Sequence, residues 1–178
     1  MELDPVERIT TDAIGEPGRR VFYLQARSGP ELITILMEKE QVQLLAASIL
    51  EILATVGAET GEGPAEEELS LEEPVEPSWR AGRLSIGYEE ERDLLLLEVE
   101  ELIPGEEGEE GEAEEQEAIE PPRDPDRVRI WATREQMLAL SRHSAAVAAR
   151  GRPACQFCGN PIDAEGHRCP AMNGHKGG

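Results

Sequence analysis

Aromatic residues are scarce in this chain, whose 178 residues include only two Trp, two Tyr and two Phe. Long apolar runs are missing too, and no stretch of about 18 apolar residues could cross a membrane as a helix. The first five residues, Met1-Glu-Leu-Asp-Pro5, carry neither the basic start nor the apolar segment of a secretory signal. We therefore expect a cytoplasmic protein that does not enter a membrane.

Histidine and cysteine are equally rare, with three residues of each. Three thiols cannot form an even disulfide framework, which agrees with a reducing compartment. His143 lies on a predicted helix and the other two His lie near the C-terminal end, so no Ser-His-Asp arrangement can be proposed. The sequence gives no positive sign of catalysis, and we favour a protein that is not an enzyme.

Basic residues are outnumbered, 17 against 38 acidic ones, and the net charge is −21. The excess is concentrated in two segments: residues 59–76 contain eight Glu, residues 104–120 contain nine, and neither contains a base. Blocks of like charge bury too little apolar surface to offset the entropy of ordering them. Both segments are interpreted as disordered acidic loops that contribute nothing to the core. They would also repel phosphates, which disfavours nucleic acid as a partner.

The rest of residues 1–152 is predicted to form one α+β domain in which a βββα pattern occurs twice. The first unit comprises strands 8–14, 19–27 and 31–36 and a helix from Glu38. The second comprises strands 83–88 and 92–102, a strand around Val128 and Ile130, and a helix from Thr133. The two helix starts align at an offset of 95 positions, and Thr133 with Gln136 is typical of a capping box. We expect a largely antiparallel sheet with two helices on one face.

Residues 153–178, here called the tail, contain a spacing typical of a structural zinc site. Cys155-Gln-Phe-Cys158-Gly159 is followed by His167-Arg-Cys169-Pro170. Two thiols in a tight turn, with a third thiol and an imidazole close by, form a closed tetrahedral ligand set. The predicted ligands are Cys155, Cys158, His167 and Cys169. His175 is the alternative fourth ligand, but it lies only three residues from the end.

Two other interpretations of this cluster stay open. A catalytic zinc would keep a water position and a carboxylate base, and Asp163 and Glu165 lie between the ligand pairs. A redox-active Cys pair is less favoured, because no βαβ pattern surrounds it. Phe157, inside the turn, is expected to be buried against the zinc site.

Residues 123–152 carry seven Arg against three acidic residues and form the one basic stretch of the chain. A nucleic-acid surface is one interpretation, yet few aromatic side chains are available there for base stacking. We favour a simpler interpretation of these residues, in which the Arg side chains lie on the solvated side of a helix and bind no nucleic acid. The Arg-containing turn Gly15-Glu-Pro-Gly-Arg-Arg20 could offer donors to an anion, although an ordinary hairpin turn is favoured.

Three motifs together resemble an uncharacterised bacterial family, the domain-of-unknown-function 3090 family. They are Gly15-Glu-Pro-Gly-Arg-x-Val-Phe-Tyr-Leu-Gln-Ala26, Met37-Glu-Lys-Glu-Gln-Val42 and Cys155-x-x-Cys-Gly-x-Pro-x-Asp-x-Glu-Gly-His-x-Cys-Pro170 … Asn173-Gly174. Pro170-Ala171 departs from the Pro-Arg expected in the family, at no predicted ligand. The resemblance implies a cytosolic protein with no assigned activity, often found beside a phosphatase-like and a kinase-like protein.

The leading functional hypothesis is a non-catalytic accessory protein whose zinc-held tail contacts a protein partner. The phosphatase-like and kinase-like neighbours that the resemblance implies are the first candidates for that partner. A small nucleic-acid-binding regulator that uses the tail and the basic helix is the second hypothesis. A zinc enzyme is the third.

Overall fold

The computed structural model describes residues 1–104, 123–162 and 166–171, which form an α+β fold. The elements in chain order are β1 (Glu2–Leu3), β2 (Arg8–Ile14), β3 (Val21–Ser28), β4 (Glu31–Met37), α1 (Lys39–Val56), a 3-10 helix (Glu66–Leu69), β5 (Trp79–Glu89), β6 (Leu94–Glu101), β7 (Arg127–Thr133) and α2 (Arg134–Ala149). The predicted βββα pattern therefore occurs twice, as β2-β3-β4-α1 and β5-β6-β7-α2. No helix in the described ranges is both long and apolar enough to cross a membrane.

The strands of the described residues form one mixed sheet in the order β1-β7-β6-β5-β4-β3-β2. Four of the neighbouring pairs are antiparallel, while β4 pairs with β5 and β1 pairs with β7 in parallel. The expectation of a largely antiparallel sheet is thus confirmed. Strand β1 was not predicted, because a strand of two residues shows no periodicity.

The sheet is strongly curved, since its two outermost strands are consecutive in the chain. Residues 4–7 alone connect β1 to β2, and a chain of that length reaches at most about 18 Å. In a flat sheet the outermost of seven strands would lie about 29 Å apart. The amide of Val6 donates to the carbonyl of Trp131 in β7 at 2.9 Å, and that of Glu7 donates to Arg27 in β3 at 2.9 Å. Residues 4–7 therefore bring the two ends of the sheet together.

Both helices pack on the same face of the sheet and against each other. The alternate residues Leu95, Leu97 and Val99 of β6 are fully buried and share one hydrophobic core with the inner faces of both helices. Full burial of each such side chain stabilises the fold by about 1.5–3 kcal/mol. The hydroxyl of Ser141 in α2 donates to the carbonyl of Ala46 in α1 at 2.7 Å. These two positions differ by the same 95 residues as the helix starts, so equivalent points of the two units meet.

Capping interactions define the start of each helix. The Thr133 hydroxyl accepts from the Gln136 amide at 3.2 Å, and the Gln136 side chain accepts from the Thr133 amide at 2.9 Å, which confirms the predicted capping box. Gln41 accepts in the same way from the Glu38 amide at 2.8 Å. Each glutamine also donates elsewhere, Gln136 to Val6 and Gln41 to Ala81, at 3.0 Å in both cases. The two helix starts are thereby fastened to neighbouring backbone.

The first acidic segment, residues 59–76 and here called the strap, differs from the expected solvated loop. Leu69 in its 3-10 helix is only 4% exposed. Gln25 in β3 forms a double bridge to the strap: its amide donates to the Glu72 carbonyl at 3.1 Å, and its oxygen accepts from the Glu72 amide at 2.7 Å. The Glu72 carboxylate pairs with Arg8 at 3.1 Å and with Arg27 at 3.0 Å. The prediction that the strap contributes no core is therefore wrong, because Leu69 is buried. The acidic strap can lie against the sheet because Arg8 and Arg27 balance the charge of Glu72. Most of the second acidic segment lies outside the described residues.

His143 on α2 is buried where this helix, β2 and the strap meet. Its side chain is 7% exposed, and within the described residues neither ring nitrogen has a hydrogen-bond partner. Burial lowers the pKa of the imidazole, although the charges of Asp12 and Glu66 raise it and that of Arg150 lowers it further. The folded protein therefore holds His143 neutral at pH values where the unfolded chain would protonate it.

Acidification is expected to destabilise the protein through His143. The pKa of His143 in the folded protein lies below the unfolded value of about 6.5. The stabilisation from the buried neutral ring is therefore complete above that pH and is lost as the pH falls through the folded pKa. Between about pH 7.5 and about pH 5.5 the free energy of unfolding should drop more in the wild type than in His143→Leu. Urea unfolding at both pH values measures the difference. An equal change in the free energy of unfolding with pH in the two proteins would contradict a lowered pKa of His143 in the folded protein.

Candidate metal centre

The first two predicted ligands lie in a small hairpin turn. Ala154 and Pro161 form an antiparallel bridge, and inside it the Cys155 amide donates to the Asn160 carbonyl at 2.8 Å. The Gly159 amide donates to the Cys155 carbonyl at 2.8 Å, and Gly159 has a φ of 73°. That left-handed conformation suits glycine, which explains the residue after the Cys-x-x-Cys pair. The turn directs both sulfurs to the same side.

The four predicted ligand atoms lie within 4.8 Å of one another. The sulfurs of Cys155 and Cys169 are 3.8 Å apart, and the Cys158 sulfur lies 3.3 Å from Nε2 of His167. In a tetrahedral zinc site, Zn–S bonds near 2.3 Å and Zn–N bonds near 2.0 Å place two sulfurs about 3.8 Å apart and a sulfur and a nitrogen about 3.5 Å apart. The separations fit four ligands of one ion. They are too long for a disulfide, and all three cysteines are free.

Burial and backbone amides prepare the thiols for a cation. Cys155 and Cys169 are each 7% exposed. The amides of Phe157 and Cys158 point at the Cys155 sulfur and lower the pKa of that thiol to about 7. The Asn160 amide acts in the same sense on Cys158, but burial and the adjoining thiols outweigh it and raise the pKa of Cys158. The Cys155 thiol is therefore partly ionised near neutral pH without a metal ion, and a bound cation would favour the thiolate form of all three cysteines.

The structure groups all three thiols with His167. His175, the alternative ligand, lies outside the described residues, as do Asp163 and Glu165, so only His167 is positioned relative to the sulfurs. Gly166 precedes it with a φ of 89°, a left-handed turn that directs the chain back toward the Cys-x-x-Cys hairpin. A Cys3His group that could hold a metal ion is thus present.

Phe157 does not pack on the cluster, in contrast to the expectation of a buried ring. It is 70% exposed at the tip of the turn. The backbone amides of Phe157 and Cys158 are directed at the Cys155 sulfur, which leaves the intervening side chain on the outside. The Cys-x-x-Cys spacing could have indicated this, because a ligand turn whose amides face the metal carries its middle side chains outward.

The basic stretch 123–152 is largely neutralised by acidic residues. Five of its arginines form ion pairs: Arg123 with Glu101, Arg127 with Glu98 and Glu100, Arg129 with Glu2 and Glu98, Arg134 with Asp93, and Arg150 with Glu66. Arg129 also lies over the ring of Trp131, which is 8% exposed. Five of the seven arginines of this stretch are thus engaged by carboxylates within the fold.

Comparison with known proteins places the chain in a family without a described activity. No curated protein and no solved structure gives a significant match to it. The sequence profile of a family described as a protein of unknown function (DUF3090) matches residues 1–169, nearly the whole chain, including all four residues of the Cys3His group. The resemblance carried by the hairpin, helix-start and tail motifs is thereby confirmed, and the protein belongs to the domain-of-unknown-function 3090 family.

Proposed function

We propose that this protein is a non-catalytic accessory protein in which one structural zinc ion holds the tail in shape and presents it to a protein partner. The observation that carries the proposal is the set of separations among Cys155, Cys158, His167 and Cys169. They match a tetrahedron made by protein ligands alone. Such a site stabilises a local fold and leaves no coordination position for a substrate.

Zinc is favoured over other ions by the chemistry of the donors. Three thiolates and an imidazole are typical of structural zinc, whereas calcium and magnesium require oxygen ligands. Within the described residues, the tail contributes no side chain to the hydrophobic core of the α+β domain. The metal would then be the main source of order in the tail, as in other small zinc-held units. Reduced thiols in this role favour a cytoplasmic location.

The exposed ring of Phe157 supports an interaction role for the tail. The chain has only two Phe residues; Phe22 is 6% exposed in the core, whereas Phe157 is 70% exposed. An aromatic ring held on the outside of a turn is available to contact another surface. Aromatic side chains that fill a pocket on a partner supply much of the energy of protein–protein interfaces. The phosphatase-like and kinase-like neighbours are our first candidates for that partner.

The two other hypotheses have less support. A zinc enzyme needs an open coordination position, which a complete Cys3His set does not leave. A nucleic-acid regulator needs basic side chains available to phosphates, and five arginines of the stretch 123–152 are already paired with carboxylates.

A capture experiment with the zinc-loaded protein tests the proposal. The wild type, immobilised, is expected to retain the phosphatase-like or the kinase-like neighbour, and Phe157→Ala is expected to lose at least about 90% of that binding because the ring is the anchor. Leu44→Ala is the matched control: Leu44 is 67% exposed on α1 and should leave capture unchanged. Purified neighbours and quantitative blotting provide the measurement. Equal capture by Phe157→Ala and the wild type would contradict the proposed role of the tail.

A further inference from the structure

An open cavity of about 480 Å³ lies where the α+β domain meets the start of the tail. Its charged lining comes from four places: the β2–β3 hairpin, the start of α1, β5, and the segment that joins α2 to the Cys-x-x-Cys turn. The start of β3 and the end of β4 add apolar residues. Pro161, within the bridge that closes this turn, is part of the wall. Cavities of about 300–1,000 Å³ are typical of small-molecule sites.

Four basic side chains line this cavity, one from each wall. They are Arg20 from the hairpin, Lys39 from α1, Arg80 from β5 and Arg152 from the segment after α2. Two carboxylates, Glu38 and Glu40, also line it. Glu38 and Arg80 form an ion pair and compensate each other's charge, so the three other cations face one other carboxylate, Glu40. The sign of this local charge is opposite to that of the chain as a whole, whose net charge is −21.

In the part of the chain that the structure describes, nine arginines form ion pairs, and neither Arg20 nor Lys39 does so. Arg20 is held instead by a hydrogen bond to the Val147 carbonyl at 2.8 Å and by the Phe22 ring, 5.0 Å from its guanidinium carbon. A fixed guanidinium whose charge is not compensated is prepared to receive an anion.

Gly151 leaves a space between these two cations. A Cβ atom at this position would lie 3.3 Å from Nζ of Lys39 and 3.7 Å from Nη2 of Arg20. The two cationic groups therefore converge on one point, which the absence of a side chain keeps open. The start of α1 is at the same place, and its first amides and positive dipole end favour negative charge.

We propose that this cavity binds a small phosphorylated molecule, with the phosphoryl group between Lys39 and Arg20 beside Gly151. Donors that converge from several walls suit a tetrahedral dianion with oxygens in all directions better than a planar carboxylate, which needs one paired fork. The volume that remains beyond the phosphoryl group accommodates the rest of a small ligand. This site is distinct from the Cys3His group and from the proposed protein contact at Phe157.

Titration calorimetry of the zinc-loaded protein at constant ionic strength tests this site. Inorganic phosphate and glycerol 3-phosphate are expected to bind, while glycerol is expected not to bind. Lys39→Gln should weaken phosphate binding at least tenfold by removing a cation. Gly151→Ala should do the same without a change of charge, because its methyl group fills the space between the cations. The nearest atom to that methyl group is the flexible end of Lys39, so the variant should fold.

Two controls make the result decisive. Arg83→Gln removes one charge from an exposed position on β5 outside the cavity lining and should leave binding within twofold of the wild type. Circular dichroism and zinc content should be unchanged in all three variants. The proposal is overturned if phosphate fails to bind the wild type up to about 10 mM, or if Lys39→Gln and Gly151→Ala bind it normally. Succinate binding as tightly as phosphate would overturn the phosphoryl assignment.

Discussion

Replacing Cys158 with Ser is expected to lower zinc affinity by at least about 100-fold and to unfold the tail while the α+β domain stays folded. Changes to groups that merely orient a zinc ligand already cost about 10–100-fold in affinity, so loss of a ligand should cost more. Among the described residues the hydrophobic core includes no tail side chain, and metal binding and folding should therefore be coupled there. Elemental analysis and amide hydrogen exchange provide the measurements.

Two histidine variants act as controls for this experiment. His167→Ala should behave like the Cys158 variant, because Nε2 of His167 lies 3.3 Å from the Cys158 sulfur. His175→Ala should retain one zinc ion per chain. Zinc loss in His175→Ala with retention in His167→Ala would reassign the fourth ligand. Metal-free wild type after purification under reducing conditions would refute the zinc site itself.

Replacing residues 62–76 of the strap with a Gly/Ser segment of equal length is expected to destabilise the protein by at least about 3 kcal/mol. Loss of a buried leucine alone costs about 2–5 kcal/mol, and Leu69 is 4% exposed. The replacement also removes the carboxylate that pairs with Arg8 and Arg27. Urea unfolding followed by circular dichroism measures the change.

The same replacement at residues 105–119 serves as a control that distinguishes the effect of removing negative charge from the effect of removing the contacts of the strap. It removes a comparable number of glutamates, and the sequence-based expectation for this segment is a change of no more than about 1 kcal/mol, because loop entropy varies slowly with length. If the strap replacement changed the free energy of unfolding as little as the control does, the contacts of Leu69 and Glu72 would contribute little to stability. Both segments would then be interpreted again as solvated loops.

The strands and helices could be predicted from the sequence, because each depends on the periodicity of its own apolar residues and on the residues at its ends. Alternation through Leu95, Leu97 and Val99 predicts a strand with one buried face, and Thr133 with Gln136 marks a helix start; both are confirmed. The four candidate ligands were readable for a similar reason. Ligand spacing in a tight turn is a local property, and the structure brings those four side chains together.

The docking of the strap and the orientation of Phe157 could not be predicted from the sequence. Each depends on which groups the folded chain places next to the segment. A run of glutamates is solvated by default, and Arg8 and Arg27, which are distant in sequence, provide the charges that hold Glu72 against the sheet. Burial of an apolar ring is likewise the default for a soluble protein. It fails at Phe157 because the turn directs its amides inward at Cys155.

By itself, therefore, the sequence determined the two βββα units, the helix starts, the family and the candidate ligand set, all of which arise from interactions over a few residues. Only the tertiary structure decided the curvature of the sheet, the docking of the strap, and the convergence of Arg20, Lys39 and Arg152 on one cavity. These features bring together residues that are far apart in the sequence: Gln25 and Glu72 are separated by 47 positions, and Val6 and Trp131 lie still further apart. The free energy that places them there comes from shared burial and from charge pairing across the fold, which no local pattern records.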